Sequence, residues 1–238
     1  MKPCHIKNKS YLLKTLSLGL LIAFSSTFSN ANNEKALNSI ANTGNIQTTE
    51  GVVEIFKKVN IPSDKRAIRY FFSYTCPYSR KFDTIMYKWG ATLPKPLVYA
   101  RVPMITDDEG SYFGAIAYYT VAAIAPEKLN NYQEEVYAQI QDRNKSNLAF
   151  ETYAEAAFRV GIDIKRFSKE ILTIKMHNYA ATASILGAKY QVSATPSIGI
   201  GGTYSFSSEL VNPDTGNLVQ LSNAMVSKFI SEVGLSKK

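Results

Sequence analysis

Apolar residues in the first half of the chain follow a strand pattern, then a helix pattern, then a strand pattern again. Residues 67–74 (AIRYFFSY) are aromatic and β-branched, which is typical of a buried strand. Residues 78–89 carry apolar side chains at positions 82, 85, 86 and 89, the spacing of one helix face. Residues 97–105 (LVYARVPMI) predict a second strand. This order predicts a βαβ unit.

A long helical block follows, from Tyr112 to about Tyr190. Residues 113–125 are apolar on nearly every side, which predicts a helix buried on both sides. The rest of the block shows amphipathic helical spacing in three further segments. These are residues 127–142, 149–160 and 164–188.

The last part of the chain returns to strands and a helix. Ser197–Gly201 and Thr203–Phe206 flank Gly201-Gly202, a hairpin signal, and residues 218–233 predict a final helix. Without the helical block, a βαβ unit and a ββα unit remain. We therefore predict an α/β protein with a thioredoxin-like fold and an inserted helical domain.

The predicted domain boundaries follow from these patterns. Residues 51–111 and 189–238 are expected to form the thioredoxin-like domain, and residues 112–188 the inserted helical domain. Residues 51–60 (GVVEIFKKVN), at the start of the first domain, have apolar positions that predict a short helix.

The first 31 residues have the pattern of a signal peptide. Four lysines precede an apolar stretch at residues 15–28, and Ser29-Asn30-Ala31 supplies small residues for cleavage. The apolar stretch is shorter than the about 20 residues that span a bilayer. We predict a periplasmic protein that contacts the membrane only through this signal peptide. Residues 32–50 are polar and free of aromatics, and are expected to form a flexible N-terminal arm.

The net charge of the chain does not indicate a particular class of partner. The whole chain carries a net charge of +8, and removing the four lysines of the signal segment leaves 23 basic and 19 acidic residues, or +4. No segment clusters Lys and Arg on one face, and no nucleic-acid-binding motif is present. We therefore expect no nucleic-acid partner.

The number of cysteines limits the thiol reactions that the chain can carry out. The chain has two cysteines, and Cys4 lies in the signal segment, so Cys76 is alone in the exported form. A single cysteine in an oxidising compartment indicates a reactive thiol or intermolecular pairing, and it excludes a structural disulfide within the chain. The alternative is an inert buried cysteine.

The residues around Cys76 favour the reactive form. Pro77 suits the first position of a helix, so the sulfur stands at a helix N-terminus, where free N–H groups and the helix dipole favour an anion. Such a setting can lower a thiol pKa by several units from about 8.5. Arg80 and Lys81 add positive charge nearby, and no Asp or Glu falls within six residues of Cys76.

Two segments resemble the DsbA family of periplasmic thiol–disulfide oxidoreductases. Residues 71–79 (FFSYTCPYS) are similar to the family's active-site segment, and residues 188–204 to its cis-proline loop and following hairpin. The helical block matches the family's inserted domain in place and length. The resemblance implies a catalytic segment of Cys76, Pro77, Tyr78 and Ser79, and substrate binding at Thr195 and Pro196, where the backbone can pair with an incoming peptide strand.

The sequence departs from the family pattern at three points. Ser79 stands where the second cysteine of C-x-x-C belongs, so the motif is C-x-x-S. The strand before Cys76 offers Arg69 and Tyr70 where family members often bury an acidic residue. Tyr78 replaces the histidine of the strongly oxidising members.

The serine decides the expected mechanism. A single thiol cannot hold an intramolecular disulfide, so Cys76 is expected to form mixed disulfides with cysteine-containing exported proteins. A second thiol must resolve them, either from the same substrate or from a periplasmic reductant or small thiol such as glutathione. This is isomerase or reductase chemistry rather than dithiol oxidation, and Thr195 before the proline resembles such members. Ser79 either donates a hydrogen bond to the thiolate or is a polar residue of the helix turn. No bound cofactor and no metal are expected.

Two other functions stay open at this point. The C-P-Y-S segment also resembles the S-P-Y-S site of kappa-class glutathione transferases, in which serine activates glutathione. The fold can also serve as a non-catalytic periplasmic chaperone or assembly factor in which Cys76 is dispensable. His177, the one histidine beyond the signal segment, is expected in the core or at the surface rather than beside Cys76.

Overall fold

The computed structural model describes residues 4–5, 45–48, 51–106, 109–210 and 215–233. In these ranges the strands are β1 Cys4–His5, β2 Asn45–Thr48, β3 Gly51–Glu54, β4 Lys57–Lys58, β5 Ala67–Phe72, β6 Val98–Pro103, β7 Ala194–Thr195, β8 Ser197–Ile200 and β9 Tyr204–Ser207. The helices are α1 Pro77–Gly90, α2 Glu109–Ile124, α3 Leu129–Tyr137, α4 Phe150–Arg159, α5 Ile164–Glu170, α6 Ile174–Lys189 and α7 Thr215–Val233.

A mixed five-stranded sheet carries the predicted βαβ and ββα units. Its strand order is β4-β9-β8-β5-β6. β5 and β6 run parallel and are joined through α1, whereas β5 and β8 are antiparallel. β8 and β9 form the predicted hairpin, in which Gly201 and Gly202 have positive φ values of 58° and 64°. These glycines supply the left-handed backbone that such a tight turn requires.

The alternating residues of β5 divide the core between the two faces of the sheet. Tyr70 and Phe72 lie in the larger apolar cluster, which includes residues of α1 and α7. Trp89 Nε1 donates to Asn223 Oδ1 at 2.7 Å and joins these two helices. Phe71 points to the opposite face and packs against Tyr190 after α6, with ring centroids 5.2 Å apart. The sheet is therefore covered on both sides, as an α/β fold requires.

Helices α2 to α6 form the insertion between β6 and β7. Half of the residues of α2 are buried, but Phe113 and Ala123 are exposed, so the predicted burial on both sides holds only in part. α3 runs into one π-helical turn, Ala138–Asp142, in which the Arg143 N–H donates to the Ala138 carbonyl at 3.0 Å. The single helix predicted over residues 164–188 is two helices, because a turn at residues 171–173 separates α5 from α6.

The predicted helix over residues 51–60 is wrong. This segment contains β3 and β4, and β4 pairs antiparallel with β9, with Lys57 opposite Ser205. A short apolar run does not distinguish a helix from a strand by spacing alone, and the open edge of β9 decides in favour of a strand.

The predictions for the N-terminus fall mostly outside the described residues. Within the signal segment only β1 is described, and within residues 32–50 only β2, which pairs with β3. In the part of the chain that the structure describes, no helix is both long and apolar enough to cross a membrane.

Candidate active site

Cys76 is the N-cap residue of α1, in an extended conformation with φ −90° and ψ 116°. A turn after β5 leads to it, in which the Cys76 N–H donates to the Ser73 carbonyl at 3.1 Å. Pro77 follows at the first helical position. Cys76 is fully buried, whereas Thr75 and Pro77 on either side of it are exposed. The sulfur thus lies at a helix N-terminus just below the surface.

Thr195 lies across from this thiol. The Thr195–Pro196 peptide bond is cis, and Cys76 Sγ donates to the Thr195 carbonyl at 3.1 Å. The backbone of Thr195 also pairs antiparallel with β1, so that Cys4 stands opposite Thr195 and His5 opposite Ala194. The edge of β7 beside Cys76 therefore accepts an extended strand.

Ser79 is fully buried one turn into α1. Its Oγ accepts a hydrogen bond from the Ser73 N–H at 3.1 Å, and its carbonyl accepts one from Tyr70 Oη at 2.9 Å. These contacts tie the first turn of α1 to the end of β5. The sequence left two roles open for Ser79, and these contacts agree with that of a polar residue in the helix turn. A hydrogen bond from Ser79 to the thiolate stays a prediction.

Tyr78 is half-buried, two residues after Cys76 in the first turn of α1. The ring lies nearly parallel to that of Phe82, with centroids 6.5 Å apart. Pro77 before Tyr78 is exposed, and contact of these two residues with a substrate stays a prediction.

Arg80 does not supply the unopposed positive charge that its position in the sequence suggested. Its Nη1 donates to Asp142 Oδ1 and its Nη2 to Glu134 Oε1, both at 2.7 Å. The hydrogen bonds to Asp142 and Glu134 raise the pKa of Arg80. Both carboxylates come from the inserted helices, more than fifty residues away along the chain. Arg80 is therefore paired with carboxylates that lie far away along the chain, and it joins α1 to the insertion.

A buried ion pair lies deeper under α1. Asp83 Oδ2 accepts from Arg101 Nη2 of β6, and Asp83 Oδ1 accepts from Gln133 Nε2 of α3, both at 2.7 Å. Arg101 Nη1 also donates to Asn130 Oδ1 at 2.6 Å. Burial raises the pKa of Asp83 to about 6 against the lowering effect of the Arg101 charge. This network holds α1, β6 and the insertion together.

Gln141, in the π-helical turn, contacts the backbone of the thiol loop directly. Its Nε2 donates to the Tyr74 carbonyl at 2.8 Å and to the Cys76 carbonyl at 3.2 Å. The Cys76 carbonyl also accepts the Arg80 N–H at 3.3 Å, at the start of α1. One side chain of the insertion therefore joins the residues on both sides of Thr75.

His177 lies within the insertion, where its Nδ1 and the Tyr112 hydroxyl are 2.8 Å apart. It is partly buried. Among the described residues there is no group of three or more His, Cys, Asp or Glu that could hold a metal ion.

The sequence interpretation missed Asp83, Arg101 and Gln141. Asp83 lies between Phe82 and Met86, on the apolar side of α1, and a charged residue on a buried face signals a hidden partner. Arg101 carries the same signal inside an apolar strand. Gln141 gives no such signal, because its position depends on a π-helical turn that the apolar spacing does not reveal.

Comparison with known proteins gives relatives of one kind. No protein-family model matches the chain. A curated relative, the thiol:disulfide interchange protein DsbA of Azotobacter vinelandii, is 24% identical over 195 residues, covering 82% of this chain and 88% of the relative.

Solved structures share the fold over nearly their whole length. DsbA of Pseudomonas aeruginosa superimposes with a TM-score of 0.67 at 18% identity, covering 76% of this chain and 94% of that one. The oxidoreductase NmDsbA1 of N. meningitidis gives a TM-score of 0.65 at 13% identity, covering 79% and 99%. DsbA of Xylella fastidiosa gives 0.63 at 18% identity, covering 75% and 96%. The predicted fold, a thioredoxin fold with an inserted helical domain, is confirmed.

Proposed function

Because this chain has the fold of DsbA proteins and is 24% identical to one of them, we propose that it catalyses thiol–disulfide exchange in the periplasm through Cys76 alone. It acts as a disulfide isomerase or reductase rather than as a dithiol oxidase. The observation that carries the proposal is the pairing of Cys76, at the N-cap of α1, with the Thr195 carbonyl 3.1 Å away, while a serine stands at position 79.

The reaction begins with attack of the Cys76 thiolate on a substrate disulfide. A bond forms between Cys76 Sγ and one substrate sulfur, the substrate S–S bond breaks, and the other substrate sulfur leaves as a thiolate that takes up a proton. Capture of the substrate backbone on the edge of β7 would bring its disulfide to the sulfur. β1 supports this step, since it occupies that edge as an antiparallel strand.

A second thiol must then release Cys76, because the hydroxyl of Ser79 is too weakly acidic to attack the mixed disulfide. When the second thiol belongs to the same substrate, the disulfide is rearranged without net oxidation or reduction. When two glutathione molecules act in turn, the substrate disulfide becomes two thiols and glutathione disulfide is released. Cysteine-containing exported proteins and a small periplasmic thiol are the partners that this chemistry requires.

Refolding of a scrambled-disulfide substrate tests the proposal. We expect the chain lacking residues 1–31 to accelerate refolding in a glutathione buffer, and the Cys76→Ala variant to give the buffer rate. Acid quenching should trap substrate on Cys76, with the site identified by mass spectrometry. Because Cys76 is the one cysteine of that chain, dimers on a non-reducing gel would identify intermolecular pairing instead.

The other functions give distinct results in the same preparation. Equal acceleration by the wild type and Cys76→Ala would favour a chaperone. Conjugation of glutathione that survives Cys76→Ser would favour a glutathione-transferase-like enzyme. Export is tested separately by fractionating cells that express the full chain with a C-terminal tag, where a periplasmic product beginning near residue 32 is expected.

A further inference from the structure

We propose that Gln141 is a positioning residue that holds the Cys76 loop in the geometry in which the thiol is reactive. The inference deepens the proposed function and rests on it. It is carried by two hydrogen bonds from one amide nitrogen, to the Tyr74 carbonyl at 2.8 Å and to the Cys76 carbonyl at 3.2 Å.

The two carbonyl groups bracket the segment that sets the position of the sulfur. Tyr74 is buried in the core, whereas Thr75 is exposed and Cys76 is the last residue before the helix. A thiolate gains from a helix N-terminus only while it faces the first N–H groups of the helix. Gln141 binds the carbonyl groups of Tyr74 and Cys76, on either side of Thr75, with one amide nitrogen. It therefore restricts the rotation of the loop that would turn the sulfur away from the first N–H groups of the helix.

The π-helical turn explains how Gln141 reaches this loop. The wider turn of Ala138–Asp142 shifts the register of the residues after α3, and such turns are frequent at functional sites. Its neighbour Asp142 accepts from Arg80 at 2.7 Å. The same turn thus contacts the thiol loop through Gln141 and α1 through Arg80. It is the part of the insertion that holds the segment carrying Cys76.

The surrounding charges set the direction of the expected effect. Among the described residues of the insertion, the carboxylates of Glu134 and Asp142 reach the first turn of α1, both paired with Arg80. Gln141 itself is neutral and donates. Gln141→Glu keeps the size of the side chain but replaces the amide donor by carboxylate oxygens, which cannot donate to the two carbonyl groups. It also adds a negative charge close to the thiolate. Gln141→Ala removes the donor without adding charge.

The test is the rate of iodoacetamide alkylation of Cys76 against pH in the full chain, with adducts assigned to Cys76 by peptide mass spectrometry. At pH 6 we expect both Gln141 variants to react about three- to tenfold more slowly than the wild type, the effect of losing one ordinary hydrogen bond. At pH 10, where the thiol is ionised in every variant, the rates should converge. Arg143→Lys is the matched control, since Arg143 follows the same turn and keeps its charge in the variant, while its side chain contacts Glu135 rather than the thiol loop or α1, and it should not slow the reaction.

Each other outcome overturns the inference. Equal pH 6 rates in the wild type and both Gln141 variants would show that the contact does not affect the thiol. A reduction that persists at pH 10 would indicate general disruption of the site. A wild-type thiol with no thiolate at pH 6 would contradict this inference and the proposed function together, whereas a reactive wild-type thiol that is unchanged in the variants contradicts the inference alone. Circular dichroism of each variant verifies that it is folded, and Gln141→Glu, at a half-buried position, preserves the packing volume.

Discussion

Ser79 is both the residue that limits the chemistry of the site and a part of its framework. Its Oγ accepts the Ser73 N–H at 3.1 Å, so the hydroxyl has a structural partner at the position where a second thiol would take part in catalysis. At this scale, one oxygen in place of one sulfur separates mixed-disulfide chemistry from intramolecular disulfide chemistry.

Ser79→Cys should therefore convert the proposed activity. With two thiols one helical turn apart, we expect glutathione disulfide to oxidise the variant to an intramolecular disulfide, releasing two molecules of glutathione. The oxidised variant should then oxidise a reduced model substrate, which the wild type does not do at comparable concentration. Thiol counting by mass spectrometry and a substrate oxidation assay measure the two effects.

Ser79→Ala is the matched control for this change. It loses the acceptor for the Ser73 N–H and should lower the free energy of unfolding by about 1 kcal/mol. It retains a single thiol and should not gain oxidase activity. An oxidase rate of Ser79→Cys no higher than that of Ser79→Ala would show that position 79 does not control the reaction type.

The sequence predicted the local placement of Cys76 better than the long-range contacts around it. The strand, Cys76, Pro77 and the following helix are neighbours along the chain, so local spacing is sufficient to place the thiol at a helix N-terminus. The carboxylates that pair with Arg80 and the amide that binds the thiol loop come from the insertion, and only the tertiary fold brings them there. The sequence shows that no acidic residue lies within six residues of Cys76, but it does not show that acidic residues of the insertion pair with Arg80.

At the scale of elements, polar links hold the active-site helix to its neighbours. Asp83 of α1 binds Arg101 of β6 and Gln133 of α3, and all three residues are buried. Removing one partner of such a pair leaves an uncompensated charge or donor in the core. The helix that carries Cys76 at its end is thereby fixed to the sheet and to the insertion at once.

The raised pKa of Asp83 predicts an unusual pH dependence of stability. The carboxyl binds a proton up to about pH 6 in the folded state but only to about pH 3.8 in the unfolded state. The folded state therefore holds more protons between these values, and the contribution of Asp83 to stability falls as pH rises through this window. We expect the stability advantage of the wild type over Asp83→Asn to shrink by about 2 kcal/mol from pH 4 to pH 7, measured by urea unfolding.

Asp64→Asn provides a control of opposite sign. Although burial pushes the pKa of Asp64 upward, the hydrogen bond and charge of Arg69 outweigh it and lower the pKa below its usual value. The stability that Asp64 contributes is therefore present above that usual value and is lost as pH falls. The advantage of the wild type over this variant should grow as pH rises. Parallel slopes for the two variants would contradict the assignment of a raised pKa to Asp83.

The apolar pattern predicted the wrong secondary structure where an element depends on long-range pairing. β4 has only two residues, both exposed lysines, and becomes a strand because β9 offers an unpaired edge. The hairpin of β8 and β9 was predicted correctly, since two adjacent glycines specify a tight turn locally. For α2 the apolar pattern predicted a helix correctly but overestimated its burial, because Phe113 and Ala123 are exposed.

At the scale of the whole molecule, four distant parts of the chain meet at Cys76. The end of β5 and the start of α1 carry the thiol, the insertion supplies Gln141, the segment after α6 supplies Thr195, and β1 pairs with the backbone of Thr195. β1 belongs to the predicted signal peptide. The edge proposed to receive substrate is thus covered by a segment that processing would remove.

A chain that begins at residue 32 should therefore have a more accessible thiol than the full chain. The pairing of β1 with β7 involves only two residues, so β1 covers the edge beside Cys76 only weakly. Removing β1 should raise the rate of Cys76 alkylation at pH 8 by about tenfold, because the thiol no longer has to wait for this local pairing to open. The full chain with Cys4→Ser is the control: it keeps the backbone pairing and should react as slowly as the unaltered full chain. If the shortened chain reacted no faster, the burial of Cys76 would have to come from its own loop and the insertion. A substrate would then need to displace part of the thiol loop rather than simply add a strand at β7.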